Sequence, residues 1–175
     1  MELKMRRLVP VLVLFAVLFT GQAAGDLISS ICTNTDYPAF CDSTLRKFTG
    51  SPYADKKRLA QMMLMSGALD EATTTLNAII DLLKDPNLGE LKKEILGSCR
   101  LGFGSAVDAD ANAVKDFDSG SYAKAASEVG SGADAGSACD ALFKNAGLGG
   151  SPVPDGGLRH RQLAVVAQQL IKQLP

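Results

Sequence analysis

The stretch MMLMSGALDEATTTLNAIIDLL, Met62–Leu83, sets the fold class. From Met62, apolar or small residues recur at Ser66, Leu69, Thr73, Leu76, Ile80 and Leu83, in alternating steps of four and three. Such spacing draws one stripe down a 3.6-residue helix and predicts a packed seam, broadened by Leu59, Met63 and Ile79. Met62, Met63 and Met65 read as core filling with one of them exposed, because a flexible thioether suits irregular gaps better than it marks a ligand cluster. Ser51-Pro52 suits the start of this helix, with Ser51 as N-cap and Pro52 in the first turn. Lys84-Asp85-Pro86 ends it, and Asp85 is the expected cap of the next.

Working outward, a second long helix is expected through Leu88, Leu91, Ile95, Cys99, Gly102, Ala106, Ala109, Ala113 and Phe117. Its inner face becomes small toward the C-terminal half, which permits a neighbour to approach closely. Asp118-Ser119-Gly120 breaks it, and Tyr122, Ala125, Val129, Gly136, Cys139 and Phe143 mark a third helix. Gly130, Gly132 and Gly136 cost that helix about 1 kcal/mol each relative to Ala, so tertiary contacts must hold it. After the Pro/Gly loop 147–157, Leu163, Val166, Leu170 and Leu174 mark a fourth. No segment alternates with period two. Short links between successive amphipathic helices predict an all-α, up-down-up-down four-helix bundle over 51–174.

The 25 N-terminal residues carry the marks of a secretory signal peptide. Lys4, Arg6 and Arg7 precede an apolar run from Leu8 to Phe19, and small residues follow, with cleavage expected after Gly25. The run falls short of the ~18 apolar residues of a spanning helix, and Pro10 interrupts it. The mature chain, 26–175, is one domain's worth, expected outside the membrane after cleavage. Removing three cations and one anion takes the net charge from −1 to about −3. A mildly acidic surface argues against nucleic acid or anionic lipid as the main partner. Asp55–Arg58 and Leu158–Arg161, the two locally basic stretches, read as solvated helix faces.

Four cysteines in an oxidising compartment make two disulfides the default, with three pairings possible. The midpoint of Cys99 and Cys139 is residue 119, inside the break between the second and third helices. Residues equidistant from the turn of an antiparallel helical hairpin face each other, within the ~7 Å Cα separation that a disulfide needs. Cys99–Cys139 is therefore the favoured pair, leaving Cys32–Cys41. Neither pair has the close spacing of zinc ligands or of a C-x-x-C redox motif. In ICTNTDYPAFC, Ile31–Cys41, the second pair brackets a turn rich in capping side chains. A short helix with Leu27, Ile28 and Ile31 on one side precedes that turn, and a second opens at Tyr37-Pro38. The result, 26–48, is a helical hairpin too small for a core of its own.

ICTNTDYPAFC, with Thr35, Tyr37 and Pro38, together with the segment from Ser121 to Phe143, resembles the plant invertase and pectin methylesterase inhibitor family. The resemblance covers essentially the whole mature chain. It implies a four-helix bundle with an N-terminal disulfide-closed hairpin, no catalytic activity, no cofactor, and one-to-one blocking of a carbohydrate-active enzyme in the cell wall or vacuole. Some invertase inhibitors of the family insert a Pro-Lys-Phe at the start of the third bundle helix into the enzyme. Here Gly120, Ser121 and Tyr122 stand at those positions, which shifts the expectation toward pectin methylesterase and leaves acid invertase as the alternative. The free protein is expected to be a monomer. An asparagine usual near the start of the last helix, and a cysteine many relatives carry within it, have no counterpart here.

The residues themselves offer little to an enzyme. His160, the one histidine, lies between arginines beside the Pro/Gly loop and is expected at the surface. Asp108 and Asp110 are two apart on a helix and point in different directions. Gly147–Gly150 lacks the strand-to-helix context of a phosphate loop. Expected binding residues are Asp118, Ser121, Tyr122 and Lys124, with Tyr122 either a partner-binding anchor or a cap on the core. A secreted helical carrier with no enzyme target would need an enlarged apolar cavity, against which the Ala/Gly-lined helices argue. Intact-mass or N-terminal analysis of the secreted protein is expected to place the mature start at Asp26.

Overall fold

The computed structural model describes residues 27–175, and the expected leader lies outside them. A short helix α1 at 27–32 turns into α2, Pro38–Leu45. A 3-10 turn at Ser51–Tyr53 leads to the first rod, in which α3 (Lys56–Met62), a π-helical segment (Met63–Leu69) and α4 (Asp70–Leu82) run on without a break. The second rod is α5, Glu90–Asp118; the third is α6, Tyr122–Gly132, followed by α7, Ala135–Asn145; the fourth is α8, Pro154–Lys172. Four rods joined end to end by short links form the expected bundle, with the hairpin of α1 and α2 set against it.

Local chemistry explains the boundaries, several of which differ from the sequence reading. The Asp55 carboxylate accepts from the Arg58 N–H at 2.7 Å, so Asp55 caps the first rod rather than Ser51, which is buried in the preceding turn. Asp85 likewise closes only a local turn by accepting from the Asn87 N–H, and α5 begins at Glu90 after Gly89. Gly120, at φ +80, reverses the chain from α5 into α6. The expected third helix is two, broken at Ala133–Asp134 among its weakly helical glycines.

Two apolar clusters fill the bundle. One joins the hairpin's Ile28, Ile31 and Leu45 to Leu59, Met63 and Leu64 of the first rod, Phe117 of α5, Val129 of α6, and Leu163 and Leu170 of α8. The other holds Ile79, Ile95, Leu96, Phe103 and Phe143 around the Cys99–Cys139 disulfide, whose Cα atoms are 5.0 Å apart. Full burial of each large side chain contributes about 1.5–3 kcal/mol. Cys32–Cys41, at 5.5 Å, closes the hairpin. The buried face of the first rod runs through Leu59, Met63, Gly67, Ala72, Thr75 and Ile79. The expected seam through Leu69, Leu76 and Ile80 lies instead on its half-buried flank, because the π segment adds residues per turn and rotates the face. Met63 is buried and Met65 exposed, as core filling requires.

Between the clusters lies a waist of small and polar residues. Gly136 packs against Gly157 backbone to backbone, and a Cβ on Gly132 would meet Ala106 Cα at 3.0 Å. Here His160 overturns the sequence reading. It is fully buried, with Nε2 3.0 Å from Asp110 Oδ2 on α5. Its neighbours reach outward to the other two rods: Arg159 to Glu71 on α4 at 2.7 Å, and Arg161 to Asp134 at the α6–α7 junction at 3.0 Å. Three consecutive residues, about 100° apart around the helix, thus tie α8 to each of the other rods.

Two measurements check this packing. Gly136→Ala should destabilise the protein by about 1–3 kcal/mol in chemical denaturation, because its Cβ would overlap Gly157 backbone. Gly97→Ala, whose Cβ meets open space within the helix, should stabilise by up to about 1 kcal/mol. The hairpin adds a pH test. Asp42 accepts from Arg46 and from Ser29 Oγ, joining α2 to α1, and hydrogen bonding to Arg46 foremost lowers its pKa below 3.8. A depressed folded pKa stabilises above the unfolded value and is lost as pH falls through the folded one. Acid denaturation below about pH 4 should therefore weaken in Asp42→Asn, whose stability is already lower at neutral pH.

Candidate partner-binding end

The end of the bundle where α5 turns into α6 gathers the four residues expected from sequence. Phe117, fully buried, is the last core residue of α5 before Gly120 reverses the chain. Tyr122 opens α6 and lays its ring beside that of Phe117, centroids 5.2 Å apart and tilted by 58°. Lys57 from α3 places its ammonium 5.5 Å from the Tyr122 ring centre, and its hydrogen bond with Tyr122 raises the lysine pKa above 10.5. The tyrosine is therefore both a core cap and a half-exposed surface group, held between an aromatic ring and a cation.

The other three are fixed as well. Asp118 accepts from Gln61 Nε2 at 3.0 Å and stands on the α3 side of the turn. Ser121 accepts from Ser119 Oγ, and Lys124 pairs with Asp116 at 3.1 Å. Ser121, Tyr122 and Lys124 line a groove of about 560 Å³ whose far wall is Ile171, Lys172 and Leu174 at the end of α8. Sequence reasoning missed that wall, and it missed Lys57 and Gln61. The spacing of Lys57 and Gln61, one turn apart on α3, was the available signal, but which rod they face is a tertiary fact.

The hairpin docks on the same α8. The Asp36 N–H donates to Gln169 Oε1 at 2.9 Å, and Gln173 Nε2 donates to the Ile31 carbonyl at 3.1 Å. Thr35 bonds the Cys32 carbonyl through both N–H and Oγ1, which shuts the turn. Tyr37 packs its ring on the core and Pro38 starts α2. The signature residues of the hairpin thus act by shaping it. The buried acid–base pair of Asp110 and His160 has no side-chain surface that a substrate could reach.

Disulfide-closed hairpin, bundle and stapled second and third rods together carry the pattern of one family. The profile described as plant invertase/pectin methylesterase inhibitor matches residues 26–172. The chain belongs to that family. Its members are inhibitor proteins, not enzymes. A crystal structure titled a mutant form A of a pectin methylesterase inhibitor from Arabidopsis superposes with a TM-score of 0.71, at 24% identity over 85% of this chain and 97% of that one. A second, titled a pectin methylesterase inhibitor from Arabidopsis thaliana, gives 0.63 at 25% identity, covering 85% and 95%. The chain is also 31% identical, over 118 residues, to the Arabidopsis thaliana protein named cell wall / vacuolar inhibitor of fructosidase 2. That match takes in 67% of this chain and 65% of the relative's length. Among the described residues no helix is long and apolar enough to cross a membrane.

Proposed function

We propose that this family member is secreted after removal of residues 1–25, and that domain 26–175 blocks a plant pectin methylesterase one to one, without covalent chemistry, at its substrate cleft. The observation that carries the choice of enzyme is Gly120-Ser121-Tyr122 at the start of the third rod, where the invertase-directed tripeptide would stand. The solved relatives titled pectin methylesterase inhibitors favour the same reading. Acid invertase is the second reading, favoured by the name of the relative that is 31% identical. Cell wall and vacuole are the compartments that the relative's name supports.

The contact surface in this reading is the α5–α6 end, with Asp118, Ser121, Tyr122 and Lys124. Tyr122 suits an anchor because Phe117 and Lys57 already hold its ring, so little side-chain freedom remains to be lost on binding. The mature protein titrated into pectin methylesterase and, separately, into acid invertase near pH 5 to 6 tests the target. Stoichiometric loss of pectin methylesterase activity alone is expected; loss of invertase activity alone reverses the assignment. Tyr122→Ala should weaken the inhibition by at least about thirtyfold, roughly 2 kcal/mol of hot-spot energy, and an unchanged inhibition constant moves the contact elsewhere.

A further inference from the structure

We propose that Asp110 and His160 form a pH-sensitive latch, holding α8 against α5 in acidic surroundings and loosening the bundle as the pH rises. The pair is fully buried, Nε2 lies 3.0 Å from Oδ2, and the remaining atoms, Asp110 Oδ1 and His160 Nδ1, have no hydrogen-bond partner. Phe103 covers the imidazole with ring centres 6.1 Å apart. With one titrating proton between them the two groups are neutral in sum, as acid and imidazole or as carboxylate and imidazolium. When that proton leaves to solvent, the ring can still turn an N–H to the carboxylate, but one negative charge stays in a waist sealed from water. A buried charge without a counter-charge is strongly destabilising.

Among the described residues, no neighbour supplies the missing cation. On α8 itself, Arg159 and Arg161 point outward and are matched by Glu71 of α4 and Asp134 of the α6–α7 junction. Asp108, one turn-half away on α5, is exposed and acidic, and the π segment Met63–Leu69 contains no ionisable side chain. Burial, foremost, raises the Asp110 pKa above 3.8, partly offset by the hydrogen bond and charge of His160. A folded pKa above the unfolded one gives stability that is complete below the unfolded value and lost as pH rises through the folded value. For the pair the unfolded reference is the histidine, since between about pH 4 and 6.5 the unfolded chain also carries one proton on these two groups. The sensitive window therefore opens upward from about pH 6.5, and the latch is closed between those two values.

The latch does not depend on which enzyme is inhibited. Thermal and urea unfolding of the mature protein between about pH 6.5 and 9 would be compared with Asp110→Asn, a near-isosteric side chain that cannot ionise. The wild-type unfolding constant is expected to rise by up to about tenfold per pH unit within the window, with little slope in the variant. Parallel pH profiles for the two proteins would overturn the latch. Should the variant not fold, the wild type decides alone. Backbone amides of α8 are expected to lose protection over the same interval, after correction for intrinsic exchange. Protection of α8 that is indifferent to pH across the window refutes the proposal.

Discussion

The contact between His160 and Asp110 is the constraint around which the bundle is arranged. A polar pair in a protein interior contributes little net stability against a well-packed apolar alternative, because desolvating both groups offsets their attraction. Separating them is another matter, since either group alone would be stranded without water or partner. The pair therefore fixes where α8 lies along α5 more than it strengthens the fold. Arg159 and Arg161 extend the same registration to the other rods through Glu71 and Asp134.

A polar pair at mid-height also accounts for the division of the core. Bulky side chains collect above and below it, and the level between is filled by Gly132, Gly136, Gly157, Ala106 and Ala72. Small residues let the helix backbones meet, which is why Gly136 and Gly157 touch directly. The irregular parts of the rods, the π segment and the α6–α7 break, border this level, where close approach matters more than uninterrupted helical bonding. The Cys99–Cys139 disulfide fastens one half of the core, while the hairpin completes the other.

The proposed partner-binding end inherits its rigidity from that second half. Phe117 is at once the last core residue of α5 and the support for Tyr122, so packing inside the bundle sets the orientation of a surface ring. The hairpin contributes indirectly: Asp36, Ile31, Gln169 and Gln173 hold it on α8, whose final turn forms the far wall of the adjoining groove. Loosening the waist would reach this end through α8, which links regulation by pH to recognition by geometry.

Much of the architecture was legible in the sequence. Helical periodicity predicted four rods, and the symmetry of Cys99 and Cys139 about residue 119 predicted their pairing, because chain spacing alone dictates which residues face one another across a helical turn. The ICTNTDYPAFC pattern marked the hairpin and its family. Periodicity placed Leu59, Met63 and Ile79 on the buried face of the first rod but centred its seam on the flank, since a π segment alters the angle per residue without leaving a local signature at Met63–Leu69. It also placed His160 outside: two flanking arginines look like a solvated face until the fold supplies Glu71 and Asp134 for them and Asp110 for the imidazole. The sequence by itself determined the helices, the staples and the family. Only the tertiary structure decided where the charges went, because a counter-charge is a neighbour in space and, at separations of 27 to 88 residues, periodicity carries no record of it.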